Sequence, residues 1–305
     1  IFLCLASTAL ASSQCGIQLP QSDERSARYE RAIIGGTNVT SPGKWPWQVL
    51  LMINATIDDE NKTALCGGTI IGEQWVLTAA HCVETNGSKV LMLAGSNRFQ
   101  DFEKDFARNV SKVKIHPHRE NKRNDIAILK LETPLEFNDV IASICLPDPT
   151  QTIPDDGRAV TTGFGDIEIP GTNETTDSGG QLRETIVPIV PLEVCAERWS
   201  HIAPGQEEEL KIYLFGLNKL VCASSRAHGT HQGDSGGPLM MHASDGRWFQ
   251  IGVTAFIHKD DGIRGDTFPK TFTDVREHCD WITESTDGEV HCEKGEVTLE
   301  NVDNE

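Results

Sequence analysis

Basic residues are scarce in this chain: 27 Lys and Arg stand against 45 Asp and Glu, for a formal charge of −18 at pH 7. That deficit excludes the cationic stripe with which a protein holds nucleic acid or an anionic membrane. Long apolar runs are scarce too. Beyond the first eleven residues nothing approaches the roughly 18 uninterrupted apolar residues of a membrane span. No two cysteines stand at the close spacing of a tetrahedral zinc site, so a metal is not expected. Helical periodicity is nearly absent, and no internal repeat is visible.

What is present is a series of short β-prone runs separated by turn residues, such as Val49-Leu50-Leu51-Met52-Ile53, Lys89-Val90-Leu91-Met92-Leu93, Ile126-Ala127-Ile128-Leu129 and Ile251-Gly252-Val253-Thr254. Many short strands with few helices predict an all-β sandwich or barrel. Residues 1–11 are apolar and end on an Ala-x-Ala pattern before Ser12, the signature of a secretory signal peptide, here without an initiator methionine or basic start and so read as truncated. Setting Cys4 aside with that signal leaves Cys15, Cys66, Cys82, Cys145, Cys195, Cys222, Cys279 and Cys292. An even set behind a signal peptide reads as a disulfide framework, although eight cysteines allow about a hundred connectivities. Six glycosylation sequons begin at Asn38, Asn54, Asn61, Asn86, Asn109 and Asn173, which suit surface loops of a secreted protein. The region after Cys292 is acidic with few apolar residues, and residues 285–305 are predicted to be a largely disordered tail.

One segment speaks for chemistry. Gly233-Asp234-Ser235-Gly236-Gly237-Pro238 places a serine in a glycine-built turn with nothing bulky beside it. A serine hydroxyl needs a base and an orienting carboxylate before it is a useful nucleophile. Trp75-Val76-Leu77-Thr78-Ala79-Ala80-His81-Cys82 supplies the base, and Asn124-Asp125-Ile126-Ala127-Ile128-Leu129 puts a carboxylate at the head of an apolar strand. Taken singly, His81 reads as a core histidine, Asp125 as a strand cap and the glycines as a tight hairpin. Together, in the order His, Asp, Ser, they form the set required for acyl transfer. With Ile33-Ile34-Gly35-Gly36, Pro46-Trp47-Gln48-Val49 and Gly163-Phe164-Gly165, the chain from about Ile33 to Thr283 closely resembles the trypsin/chymotrypsin-like serine proteases.

The resemblance implies two packed antiparallel six-stranded β-barrels with a C-terminal helix near Asp280-Trp281-Ile282. It divides the chain into a pro-segment (12–32), a protease domain (33–284) and the tail. It implies that Ser235 attacks, His81 is the general base and Asp125 orients it, with the N–H groups of Gly233 and Ser235 as oxyanion hole. It pairs Cys66 with Cys82, Cys15 with Cys145 and Cys195 with Cys222, which leaves Cys279 and Cys292 for each other. Protein or peptide substrates, an activating protease and protein protease inhibitors are the implied partners, and no cofactor is required. Three stretches exceed the usual loops, Asn54 to Thr63, Gly171 to Gly180 and Trp199 to Leu217, and read either as borders of the cleft or as tolerated surface insertions.

Departures from the family pattern sharpen the expectations. Activation in such proteins frees the amino group of the residue matching Ile33, which pairs with the residue matching Asp234. Here Ala32 precedes Ile33 and the basic Arg31 stands one place earlier, so a cut after Arg31 leaves the amino group displaced by about 3.5 Å. Ala255 occupies the place of a serine that usually touches the orienting aspartate. His231 stands where a bridging cysteine is common, which predicts a looser specificity pocket. Gly229 sits at the pocket base in place of the aspartate of trypsin-like enzymes, so an Arg or Lys preference is not expected. Ile257 and Lys270 align with the pocket walls: Ile257 at the mouth implies small aliphatic residues, Lys270 pointing inward implies Asp or Glu. The cost of an unpaired buried charge favours a Lys270 stem that snorkels to solvent. Two functions follow, a secreted endopeptidase made as a zymogen and a catalytically weak homologue that acts by binding. The complete set of His81, Asp125 and Ser235 favours the first.

Overall fold

The computed structural model describes residues 14–18, 36–57, 60–120, 123–168, 175–176, 178–200, 219–223, 229–256, 268–293 and 299–300. Most of the expected signal peptide and pro-segment (1–13 and 19–32), Ile33, Ile257, Asn173 and the stretch 201–218 lie outside these residues.

After the short strand β1 (Thr37–Asn38), six strands form the first barrel: β2 (Gln48–Ile57), β3 (Glu60–Gly72), β4 (Trp75–Thr78), β5 (Lys89–Leu93), β6 (Arg108–Ile115) and β7 (Ala127–Leu131). They close in the order β2-β3-β4-β7-β6-β5, every pair antiparallel. Alternation decides which side chains fill it: Val49, Leu51 and Ile53 of β2 point to one face and join Ile70, Leu77, Met92 and Ile128 in a common core. The turn into the short helix α1 (Ala80–Val83) follows β4 directly.

The second barrel begins with β8 (Arg158–Gly163), which a small hairpin of β9 (Ile167–Glu168) and β10 (Thr175–Thr176) separates from β11 (Arg183–Val190). After helix α2 (Leu192–Ser200) come β12 (Leu220–Ala223), β13 (Pro238–Ala243), β14 (Trp248–Phe256) and β15 (Lys270–Asp274). Because β8 pairs with both β11 and β13, the ring β8-β11-β12-β15-β14-β13 closes on itself. Two closed six-stranded barrels are therefore present, as expected. Helix α3 (Cys279–Ser285) follows the second, with Ile282 fully buried.

The barrels meet along polar and glycine contacts. Thr162 Oγ1 donates to Gln48 Oε1 at 2.6 Å, Trp47 Nε1 lies 3.0 Å from Met240 Sδ, and Thr273 Oγ1 donates to the Asp125 carbonyl at 3.0 Å. A methyl at Gly67 would stand 2.9 Å from the backbone of Gly237, so close approach of the two sheets requires glycine there. All four disulfides form as the sequence reading paired them: Cys15–Cys145, Cys66–Cys82, Cys195–Cys222 and Cys279–Cys292.

The tail departs from its expectation. Residues 286–293 pack on the body: Thr286 and Val290 are buried, Trp75 Nε1 donates to Glu289 Oε2 at 2.8 Å, and Glu293 N donates to the Leu146 carbonyl at 2.7 Å. Beyond them, β16 (Leu299–Glu300) pairs with His242 and Ala243 at the end of β13, past the residues that pair with β8. Composition does not show this, because one apolar side chain, Val290, suffices once the Cys279–Cys292 crosslink and the hydrogen bonds hold the segment.

Candidate active site

The first barrel builds a histidine and a carboxylate into one unit. Trp75, Val76, Leu77 and Thr78 are all buried, so β4 is fixed along its length and delivers Ala79, Ala80 and His81 at its end. The Cys66–Cys82 bridge ties the next residue to β3. On the other side Asn124 adopts a left-handed φ of +47°, a conformation asparagine tolerates better than most residues, and its Nδ2 donates to the His118 carbonyl at 2.7 Å. This bend aims Asp125 inward. Its Oδ2 lies 2.7 Å from His81 Nδ1, and its Oδ1 accepts from the His81 backbone N–H at 2.9 Å. A carboxylate only accepts, so Nδ1 carries the proton and Nε2 is left as the basic nitrogen. The Asp125 side chain is 5% exposed and that of His81 31%, so the carboxylate is shielded while the imidazole opens to the cleft.

The second barrel supplies the serine. Gly233 and Gly236 have φ of +95° and +80°, values that favour glycine. A methyl at Gly236 would run into Thr78 Oγ1 and lie 2.6 Å from the Gly67 carbonyl. That tight fit lets Gly67 N donate to the Ser235 carbonyl at 2.7 Å, docking the serine turn against β3 beside the Cys66–Cys82 bridge. The N–H groups of Asp234, Gly236 and Gly237 are spent on carbonyls of His231, Thr254 and Asp234. Among the described residues those of Gly233 and Ser235 donate to nothing, leaving two adjacent donors available. Ser235 Oγ and His81 Nε2 are not hydrogen-bonded to each other; in unliganded sites of this kind the contact is often long and tightens with substrate.

Asp234 is fully buried directly beneath the serine. Its Oδ1 accepts from Gly165 N and its Oδ2 from His231 N, each at 2.8 Å. Burial raises its pKa from 3.8 to about 7, partly offset by these two backbone donors. The motif Gly163-Phe164-Gly165 acquires a physical reason here, because a methyl at Gly165 would stand 2.6 Å from the Asp234 carboxylate and one at Gly163 would collide with it. Among the described residues no cation forms an ion pair with Asp234; Ile33, its expected partner, lies outside them.

Lys270 corrects one expectation. It does not snorkel: it is 2% exposed, and its Cγ and Cε lie 3.5 and 3.8 Å from where a methyl on Gly229 would be. Its charge also reaches His231, whose pKa is lowered first by burial and then by Lys270. The stem is held inside because β15 is buried along its whole length. Ala255 is buried at the irregularity of β14 between Thr254 and Phe256. The sequence reading passed over Arg119, whose Nη2 lies 3.5 Å from Asp125 Oδ1. It stands in the polar run His116 to Asp125, which looks solvated in sequence, and nothing in its spacing marks it.

A family model described as Trypsin matches residues 33–282. The chain belongs to the trypsin family. A solved structure of HL collagenase resembles this trypsin-family chain over 84% of its length and 99% of the collagenase's own, at 26% identity and a TM-score of 0.63. Membership in this protease family implies protein or peptide substrates. Four disulfides accord with an oxidising compartment. No helix among the described residues is long and apolar enough to cross a membrane.

Proposed function

We propose that this chain is a secreted serine endopeptidase, made as a zymogen, that cleaves peptide bonds through an acyl-enzyme. The observation that carries the reading is the His81–Asp125 unit, its imidazole oriented by two hydrogen bonds and open to the cleft. Ser235 Oγ attacks the carbonyl, His81 accepts its proton and later gives it to the leaving amine, and Asp125 holds the tautomer and stabilises the imidazolium. The free N–H groups of Gly233 and Ser235 receive the oxyanion, each such donor being worth about 3 kcal/mol. Reaction of the mature protein with a fluorophosphonate probe tests this: labelling of wild type and none of Ser235→Ala is expected. Absence of labelling in both favours the second reading, a binding homologue, which the unformed Ser235–His81 hydrogen bond and Ala255 support.

The buried Lys270 ranks the specificity options. A buried lysine stem beside Gly229, with Thr230 Oγ1 and His231 Nδ1 buried and lacking hydrogen-bond partners among the described residues, favours an acidic side chain on the acyl side of the scissile bond over a small aliphatic one. A positional-scanning peptide library reads this directly. Preference for Asp or Glu that disappears in Lys270→Gly is expected, and a dominant Arg or Lys preference overturns it.

Maturation frees the amino group of Ile33 for Asp234, the buried carboxylate whose raised pKa marks it as short of a cation. N-terminal sequencing of active protein should begin at Ile33, so that a protease cuts after Ala32 or a second step trims it. Full activity with Ala32 attached would sink the idea. Secretion and glycan attachment belong to the same proposal. Asn38, Asn54, Asn61, Asn86 and Asn109 are all exposed, and deglycosylation should lower the apparent mass of the secreted protein.

A further inference from the structure

Asp125 has a third polar neighbour besides the two donors of His81. The Arg119 side chain is only 15% exposed, and its Nη2 lies 3.5 Å from Asp125 Oδ1, the same oxygen that accepts the His81 backbone N–H. Its own position is fixed at two further points. Nε lies 3.4 Å from Glu84 Oε2, and Nη1 donates to the Arg123 carbonyl at 3.4 Å. Glu84 caps the C-terminal end of α1, the helix that carries His81. The guanidinium therefore clamps together the loop before Asp125 and the turn after His81, the two segments whose relative placement sets the imidazole–carboxylate geometry. A surface charge pair would contribute little, but a nearly buried arginine on a 5% exposed carboxylate is a different case. Removing it leaves the anion with fewer compensating charges in a site that water reaches poorly.

We propose that Arg119 is a positioning residue for Asp125, holding the carboxylate in the orientation His81 needs; this rests on the protease reading above. The guanidinium acts through Asp125 and touches neither the nucleophile nor the scissile bond. Its planar fork meets Glu84 and Asp125 at different nitrogens, which a lysine ammonium cannot reproduce at both ends.

The test uses mature wild type, Arg119→Met, Arg119→Lys and Glu84→Gln. Two quantities are read: kcat and KM on a peptide ester, and the far-downfield proton resonance of the His81 Nδ1–H, which reports its hydrogen bond to Asp125 whether or not the protein turns over. In Arg119→Met, kcat should fall roughly tenfold, the size of one charge-assisted contact, with KM within about twofold. The resonance should shift or broaden. Arg119→Lys and Glu84→Gln should fall between. An unchanged resonance and unchanged kcat in Arg119→Met overturn the proposal, as does a loss of kcat with the resonance intact. Absence of turnover in wild type refutes the protease reading alone, since the resonance still decides the role of Arg119.

Discussion

The two barrels deliver their functional groups by opposite means. In the first, His81 and Asp125 are fixed by largely buried strands, a disulfide at the adjacent residue and hydrogen bonds already made. In the second, the serine turn rests on a buried carboxylate, Asp234, satisfied among the described residues by two backbone N–H groups alone. Both barrels have the same strand count and closure. The difference lies in what meets the buried carboxylate: the side chains of His81 and Arg119 at Asp125, and backbone N–H groups alone among the described residues at Asp234. On the proposed protease reading, the half with the base is fixed beforehand, and the half with the nucleophile is built around a charge whose partner can arrive later.

Substitutions on the second side should therefore remove activity without unfolding the protein. Ser235→Ala should lower kcat about a thousandfold or more. Asp234→Asn should lower it roughly a hundredfold, the scale of a lost oxyanion donor, although the triad is intact. Circular dichroism of both should match wild type, and activity of Asp234→Asn near that of wild type would break the comparison.

A pH titration of stability sharpens it. An acid raised from 3.8 to about 7 makes the folded chain bind more protons than the unfolded one between those values, so its contribution to stability is present at low pH and lost as pH rises from about 4 to about 7. Across that window the loss is on the order of 4 kcal/mol for a fully buried group without a cation. Urea melts of the full-length chain should show this fall, and Asp234→Asn should abolish it. A chain beginning at Ile33 should show less of it, because an ammonium partner favours the ionised form.

The corresponding strike at the first barrel is Leu77→Ala, which opens a cavity in the core beneath His81. A loss of about 3 kcal/mol in stability is expected, with kcat per folded molecule changed far less than in Asp234→Asn. A chemical melt paired with active-site titration separates the two effects.

An effect of the opposite sign concerns His116 and His278, whose rings lie 5.2 Å apart, with His278 Nε2 3.0 Å from Oδ1 of Asn124, the residue before Asp125. Burial, the largest cause for each, lowers both pKa values to about 4. A base depressed in the folded state costs stability as pH falls from about 6.5 towards 4, opposite in sign to Asp234. In Asp234→Asn this second slope should stand alone, and in His278→Gln it should shrink to the part due to His116.

The amino-acid sequence alone determined the strand-rich class, the cysteine set and the short motifs around His81, Asp125 and Ser235, because alternation, turn glycines and small residues are local properties. Pairing of cysteines and closure of two barrels were legible through resemblance to a family and not through spacing. Tertiary structure alone decided the burial of Lys270, the packing of residues 286–293 and the contact of Arg119 with Asp125. Each depends on what a distant segment places beside a polar side chain, and a lysine or arginine in a mixed polar run looks the same in sequence whether its charge ends in water or against a carboxylate.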